Sequence, residues 1–173
     1  MKKLAVLFAS MFIFAIAVQN VNAQTNVQAS ASSEATIITP LAIVKNVDLN
    51  FGNIVAAPTS GVVTVATNGT RSKTGGVTLP AATPGTISAA KFTVTGLANA
   101  TYSITLPSAF NITRSGGTET MEVSAFVSNP TPTGLLTGGT QELFVGASVA
   151  VGANQAAGTY VNATALTITV AYN

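Results

Sequence analysis

The strongest constraint on the fold is a run of alternating apolar residues in the second half of the chain. In the segment Gln141–Val151, every odd-numbered residue from 143 onward is apolar. A period of two residues is that of a β-strand, because successive side chains of a strand point to opposite faces of its sheet. The even-numbered positions are also largely uncharged, which is typical of a strand at the centre of a sheet. We therefore predict a central strand here, with a core face formed by Leu143, Val145, Ala147, Val149 and Val151.

Two further segments share this period of two. In residues 166–172, threonines alternate with larger apolar residues, so we place the threonines outward and the apolar residues in the core. Around Glu122, apolar residues again occupy every second position, and Met121, Val123 and Ala125 are predicted to face the core. The inward residues of the last strand are then Leu166, Ile168, Val170 and Tyr172.

The rest of the chain breaks into short runs that are rich in β-branched residues and end at Gly, Pro, Asn or Ser. No segment after the N-terminal apolar run keeps the three-to-four-residue spacing of an amphipathic helix. The sequence therefore predicts an all-β fold, an immunoglobulin-like or pilin-like antiparallel β-sandwich of about 7–10 strands. The further predicted strands are Thr36–Val44, Val47–Phe51, Gly61–Ala66, Lys91–Thr95, Thr101–Leu106 and Phe110–Thr113.

The N-terminus, residues 1–23, has the pattern of a bacterial secretory signal peptide. Lys2 and Lys3 give the positive start, an almost continuous apolar run follows, and small residues precede the expected cleavage between Ala23 and Gln24. A membrane-spanning helix is the alternative, but about 20 apolar residues are needed to cross a bilayer and this run is shorter. We therefore expect a protein secreted to the periplasm, the outer surface or the extracellular space, with no transmembrane segment in the mature chain.

The mature chain divides into two parts on composition. Residues 24–35 form a polar segment rich in Ser, Ala, Asn and Gln, which predicts a flexible leader. Residues 36–173 are expected to form a single β-sandwich domain, because their number is within the usual size of one domain and suffices for a substantial core.

Composition also restricts the chemistry. The chain has no histidine and no cysteine, which rules out Ser-His-Asp and Cys-His arrangements and ordinary zinc, haem and iron–sulfur ligation. A paired-carboxylate enzyme would have to draw on Glu34, Asp48, Glu119, Glu122 and Glu142, and their spacing does not indicate a pair. The basic residues after residue 23 are scattered, which disfavours nucleic-acid binding. We expect no enzyme, and no catalytic, cofactor-binding or metal-binding residues.

An ordered set of short motifs carries a resemblance to a known family. The motifs are LNFGN at 49–53, FTVTG at 92–96, YSITLP at 102–107, LFVGA at 143–147, VGANQAAGTY at 151–160 and VAYN at 170–173. Taken together over residues 36–173, they resemble a family of secreted bacterial domains of unknown function, DUF4402. The resemblance implies an export-associated β-sandwich and no particular activity.

A looser resemblance concerns the early Leu-x-Phe-Gly turn, Gly158 and Tyr172, which are similar to features of the pilin-like subunits of chaperone-usher fimbriae and of spore-coat-U-type domains. It implies a sheet edge that accepts an extended segment from a neighbour by β-augmentation, with Thr36–Val44 as the donor. The alternative is that Thr36–Val44 is the first strand of its own sandwich, with Pro40 at an edge or bulge. The candidate assembly residues are Ile37, Leu41, Ile43, Leu166, Ile168, Val170 and Tyr172.

These observations predict a non-enzymatic secreted or cell-envelope structural or interaction protein, such as a fimbria-like or surface subunit that assembles by β-strand pairing. Its partners would be other copies of itself or other envelope subunits. The alternative is an extracellular ligand-binding β-sandwich module of the glycan-binding or adhesin type, whose site would lie in the loops between strands.

Overall fold

The computed structural model describes residues 26–173, so the predicted signal peptide and its cleavage site between Ala23 and Gln24 lie outside the described residues. The chain divides into two compact units, Met1–Thr36 and Ile37–Asn173. In the first unit, residues 26–36 belong to no helix or strand and are exposed. Among the residues that the structure describes, no helix is long and apolar enough to cross a membrane.

The second unit is built from antiparallel β-sheets. Within residues 26–173 there are thirteen strands, of which ten are three or more residues long. This all-β, antiparallel architecture is consistent with a β-sandwich and confirms the predicted all-β class. The strands are β1 Ala42–Val47, β2 Asn50–Phe51, β3 Gly61–Val65, β4 Arg71–Gly75, β5 Ile87–Ser88, β6 Ala90–Thr95, β7 Thr101–Thr105, β8 Phe110–Arg114, β9 Thr120–Asn129, β10 Thr133–Leu135, β11 Thr140–Val151, β12 Tyr160–Val161 and β13 Thr169–Tyr172.

The large sheet is organised around β11, in the order β1-β6-β11-β9-β8-β12. β6 pairs with the first half of β11, and β3, which carries β4, pairs with the second half. β9 pairs along the middle of β11, on the opposite side. At the junction between β6 and β3 lies Gly146, where an added Cβ would stand 2.3 Å from the carbonyl oxygen of Val65. The predicted central strand is therefore confirmed, and its five predicted core residues are all buried.

A smaller sheet, β10-β7-β13, packs over one half of the large sheet. The first core cluster joins the two sheets: Tyr102 of β7 and Leu136 after β10 are fully buried with Leu143 and Val145 of β11. β13 is shorter than its predicted segment, but the four inward residues of 166–172 all pack in or against this cluster, as the alternation predicts.

The predicted orientation of Ala125 is wrong. Met121 and Val123 face inward, but Ala125 is exposed and has a φ of +52°. The register against β11 shifts at this point, so that Ala125 and Phe126 together face the single residue Ala147. This is a β-bulge, and its extra residue reverses the alternation, which brings Phe126 to the core side.

Two predicted strands differ from the observed ones at the start of the second unit. The segment predicted as Thr36–Val44 begins its strand only at Ala42. Pro40 has no N–H to donate to a ladder, and this explains why regular pairing starts after it. The predicted strand Val47–Phe51 is divided between the end of β1 and β2. No apolar pattern predicts β4, because Arg71–Gly75 contains no large apolar residue.

Candidate functional site

A groove of about 1040 Å³ opens over the second half of the large sheet. Its floor belongs to a second core cluster, in which Val123, Val149 and Val151 are buried. Larger apolar residues of β8 and β9 surround them and remain partly exposed. Among the described residues, this cluster includes no member of β7, β10 or β13, so the smaller sheet does not cover it. The partly exposed floor residues are Phe110, Ile112 and Met121.

One wall of the groove, the first rim, is the segment 45–56, which contains β2. Arg71 of β4 fixes it: its Nη1 donates to the carbonyl oxygens of Phe51 at 2.8 Å and Asn53 at 3.0 Å. Gly52 makes the turn between these two residues with a φ of +72°, and a Cβ there would approach Arg71 Nη1 to 2.6 Å. The LNFGN motif therefore builds a wall that is held by the Arg71 guanidinium, by the pairing of β2 with β5, and by a bond from the amide of Asn53 to the carbonyl oxygen of Pro84.

The opposite wall, the second rim, is the segment 155–163, which contains β12. Tyr160 is its centre, since its hydroxyl donates to the carbonyl oxygen of Ala156 at 2.7 Å and accepts from Gln155 Nε2 at 2.8 Å. The backbone amide of Ser115 donates to the carbonyl oxygen of Thr159, which ties the rim to the end of β8. These bonds explain why an Ala- and Gly-rich segment keeps one conformation without a regular strand along its length.

An ion pair supports the second rim from below. Arg114 donates from Nε and Nη2 to the two carboxylate oxygens of Glu119, at 2.7 and 2.9 Å. The side chain of Arg114 also lies beneath Gly158, where a Cβ would stand 2.9 Å from its Cγ and Cδ. The hydrogen bonds from the Arg114 side chain lower the pKa of Glu119 from 4.5 to about 2. Glu119, one of the five acids that a paired-carboxylate enzyme could have used, thus has a structural role as the ion-pair partner of Arg114.

Several polar side chains of the rims are occupied by bonds within the protein. Asn53 Nδ2 donates to the carbonyl oxygen of Thr83, and Asn162 Nδ2 donates to that of Asn111. Lys45 and Asp48, the charged residues that line the groove, form an ion pair with each other. Within residues 26–173, no group of three or more His, Cys, Asp or Glu residues could hold a metal ion. The groove therefore offers an apolar surface more than a polar one.

The structure brings most of the candidate assembly residues together in the first core cluster and away from the groove. Leu41 and Ile43 pack against that cluster from the start of the domain, and Ile43 pairs with Val94. Leu166 packs against the same cluster and also lines the groove. Ile37 is 98% exposed and packs against nothing in this cluster. The first core cluster also contains Ile168 and is contacted by Val170 and Tyr172.

Sequence reasoning did not identify the groove. Its walls come from segments 45–56 and 155–163, which have no apolar periodicity, and its floor comes from residues that simply read as core. The sequence does contain one indication of the groove, because the motifs LNFGN and VGANQAAGTY lie at its two rims.

Residues 37–173 thus form an antiparallel all-β domain whose smaller sheet packs on the first core cluster and not on the second. Residues 41–172 match the family model described as Domain of unknown function (DUF4402), and the chain belongs to this family. No curated protein and no solved structure matches it.

Proposed function

We propose that this protein is a non-enzymatic structural or interaction subunit of the bacterial cell envelope, and that its groove accepts an extended segment of another chain by β-augmentation. The observation that carries the proposal is the groove, where Phe110, Ile112 and Met121 stay partly exposed on the half of the core that the smaller sheet does not cover. A strand added beside β13 would extend the smaller sheet over the groove and remove the exposed apolar floor from water.

The edges of the sheets support this proposal. In the part of the chain that the structure describes, β13 pairs only with β7, so one side of its backbone has no strand partner. Leu166, three residues before β13, lines the groove. Unpaired strand edges beside an apolar surface are the usual acceptors of an added strand, because the backbone supplies hydrogen bonds and the floor supplies pockets for alternate side chains.

The lining of the groove favours a peptide over a sugar. A glycan site needs free hydrogen-bonding groups, but the Asn53, Gln155 and Asn162 side chains all make hydrogen bonds within the protein. The apolar floor is better matched by alternate apolar side chains of an extended segment. Export, predicted from residues 1–23, and the small proportion of charged residues, 7%, agree with an envelope subunit.

Two arginine substitutions test the proposal. Val161 lines the groove at the second rim and Val127 lies on β9 away from it; their exposed fractions are similar, 53% and 50%. We expect the chain from Gln24 onward to form assemblies in size-exclusion chromatography with light scattering. Val161→Arg should raise the concentration needed for assembly at least about tenfold, because the new charge blocks the groove, while Val127→Arg should not.

Thermal unfolding of both variants checks that each still folds. A wild-type chain that stays monomeric at every concentration, or equal assembly by the two arginine variants, would contradict the proposal. Saturable binding of a polysaccharide by such a monomer would support the alternative, an extracellular ligand-binding module.

A further inference from the structure

We propose that a second pocket, on the outer face of the large sheet, is a binding site for a neutral sugar ring. The outer face is the one turned away from the two core clusters, and it carries the even-numbered residues of β11. The inference does not rest on the proposed function, because the floor of the groove belongs to the inner face of the same sheet. This outer pocket has a volume of about 470 Å³, and its lining includes Val47, Thr67, Asn68, Lys91, Asn129 and Phe144.

The floor of the outer pocket is a row of side chains across four adjacent strands. Val47 of β1 pairs with Lys91 of β6. Lys91 pairs in turn with Phe144 of β11, and Phe144 pairs with Asn129 of β9. Directly paired residues put their side chains on the same face, and neighbouring strands lie about 4.8 Å apart, so the row is about 14 Å long. The pairing thus sets an aromatic ring between an ammonium group and an amide.

The tip of the β3–β4 hairpin forms a wall beside this row. A Cβ at Gly146 would project to the outer face, where it would lie 2.3 Å from the carbonyl oxygen of Val65 and 3.0 Å from the amide nitrogen of Thr67. Segment 65–67 therefore crosses the outer face directly over Gly146. Since Gly146 follows Phe144 on this face of β11, the crossing chain makes the sheet concave beside the aromatic ring.

The hairpin tip is held in one conformation. The amide of Gly69 donates to the carbonyl oxygen of Ala66 at 2.9 Å, and the amide of Thr70 donates to Oδ1 of Asn68 at 3.0 Å. Gly69 has a φ of +79°, which glycine adopts without strain. Thr67 and Asn68, the central residues of this turn, are thus positioned before a ligand binds, which lowers the entropy cost of binding.

The polar side chains of the outer pocket are available to a ligand, in contrast to those of the groove rims. In the part of the chain that the structure describes, no hydrogen bond within the protein uses the side chain of Thr67 or Asn129. Asn68 uses only its Oδ1, so both donors of its Nδ2 are free. Amide and hydroxyl groups can donate to and accept from the hydroxyls of a sugar.

Phe144 supplies the apolar surface of the site. One face of a pyranose ring consists largely of C–H groups and its hydroxyls lie around its edge, so a sugar that rests on Phe144 can reach the amide of Asn129. Lys91 Nζ lies 5.6 Å from the centre of the Phe144 ring and forms an ion pair with Glu142. The charge of Lys91 is therefore already balanced, and an anion would have to displace Glu142. This combination of one apolar surface, a few polar groups and no net charge suits a neutral sugar.

An extended peptide is less suited to the outer pocket than to the groove. The centre of the floor is formed by β6 and β11, and each of them has a paired strand on both sides. Their backbones therefore have no free edge for an added strand, and side chains must provide the recognition.

Saturation-transfer NMR tests the site with glucose, galactose, mannose, fucose and N-acetylglucosamine, each titrated into the chain from Gln24 onward. We expect saturable binding of one or more of these sugars. Asn129→Ala should weaken it at least about threefold, because a hydrogen bond to the sugar is lost. The matched control is Asn111→Ala, which changes an exposed asparagine on the outer face, opposite Glu122 and outside the pocket. It should bind as the wild-type chain does.

Two substitutions of Phe144 test the role of the ring. Phe144→Leu keeps an apolar side chain without an aromatic face and should weaken binding at least about threefold, whereas Phe144→Tyr should stay within about twofold of the wild-type chain. Thermal unfolding checks that both variants fold. Equal binding by the leucine and tyrosine variants would contradict the role of the ring.

Val161→Arg separates the outer pocket from the groove. It should bind the sugar as the wild-type chain does, whatever its effect on assembly. Loss of binding in Val161→Arg, with normal binding by Asn129→Ala, would put the sugar in the groove and overturn the inference. No binding of any of the neutral sugars, or binding of glucuronic acid alone, would also overturn it. None of these outcomes decides whether the chain assembles, so the proposed function is tested separately.

Discussion

The two halves of the large sheet share one central strand and differ in what covers them. On the first half, Leu143 and Val145 lie beneath Tyr102 and the smaller sheet. On the second half, Val149 has the same full burial, but the residues around it form the floor of an open groove. One alternating strand can therefore supply two different surfaces, because the alternation specifies which side chains face inward and not which element lies opposite.

The two halves should differ most in the free energy of unfolding that is lost when an apolar side chain is truncated to alanine. Leu136→Ala, in the covered half, should lower the free energy of unfolding by about 2–5 kcal/mol, because a fully buried side chain leaves a cavity that its neighbours cannot fill. Met121→Ala, on the groove floor, should cost only about 1 kcal/mol, because part of that side chain is already in water. Urea unfolding followed by circular dichroism measures both. Equal losses would show that the groove floor is as tightly packed as the covered core.

A smaller effect should appear in the open half as the pH falls. The pKa of Glu119 in the folded protein, about 2, lies below its ordinary value of 4.5. The ion pair with Arg114 therefore contributes stability that is fully present above about pH 4.5 and is lost as the pH falls toward 2.

The wild-type chain should lose more stability between pH 6 and pH 3 than Glu119→Gln does, and Arg114→Gln should remove the same part of the pH dependence. Urea midpoints at the two pH values measure it. Unchanged pH profiles in both variants would mean that this pair does not support the second rim.

The smallest effect concerns the bulge between the halves. Phe126 packs against both core clusters, and it does so because Ala125 takes up the extra residue at a φ of +52°. Ala125→Gly should change stability by less than about 1 kcal/mol, because glycine adopts positive φ without strain but loses more chain entropy on folding.

The matched control is Ala147→Gly, on the strand opposite the bulge. It should cost about 1–2 kcal/mol, because it removes a buried methyl group and adds the same entropy cost. A similar loss from both substitutions would mean that the bulge is not under strain.

The sequence predicted the elements whose side chains follow a strict period of two. All five inward residues of β11 and the four of segment 166–172 take the predicted side of the sheet. The prediction from the sequence failed at Ala125, because a β-bulge inserts one residue without altering the residue types on either side. It also missed β4, which pairs with β3 through its backbone and carries only polar side chains apart from its glycine. The local pattern could not predict the groove, because its rims are held by bonds between residues far apart in sequence, such as Arg71 to Phe51 and Ser115 to Thr159.

The amino-acid sequence suffices to predict the class of fold, the central strand and the face that most regular strands turn inward, because these follow from the local alternation of side chains along a pleated strand. The tertiary structure was needed to show that the smaller sheet packs on the first core cluster and leaves the second one to the groove. The physical reason is that covering one sheet with another depends on contacts between residues far apart in the chain, and no local period encodes those contacts.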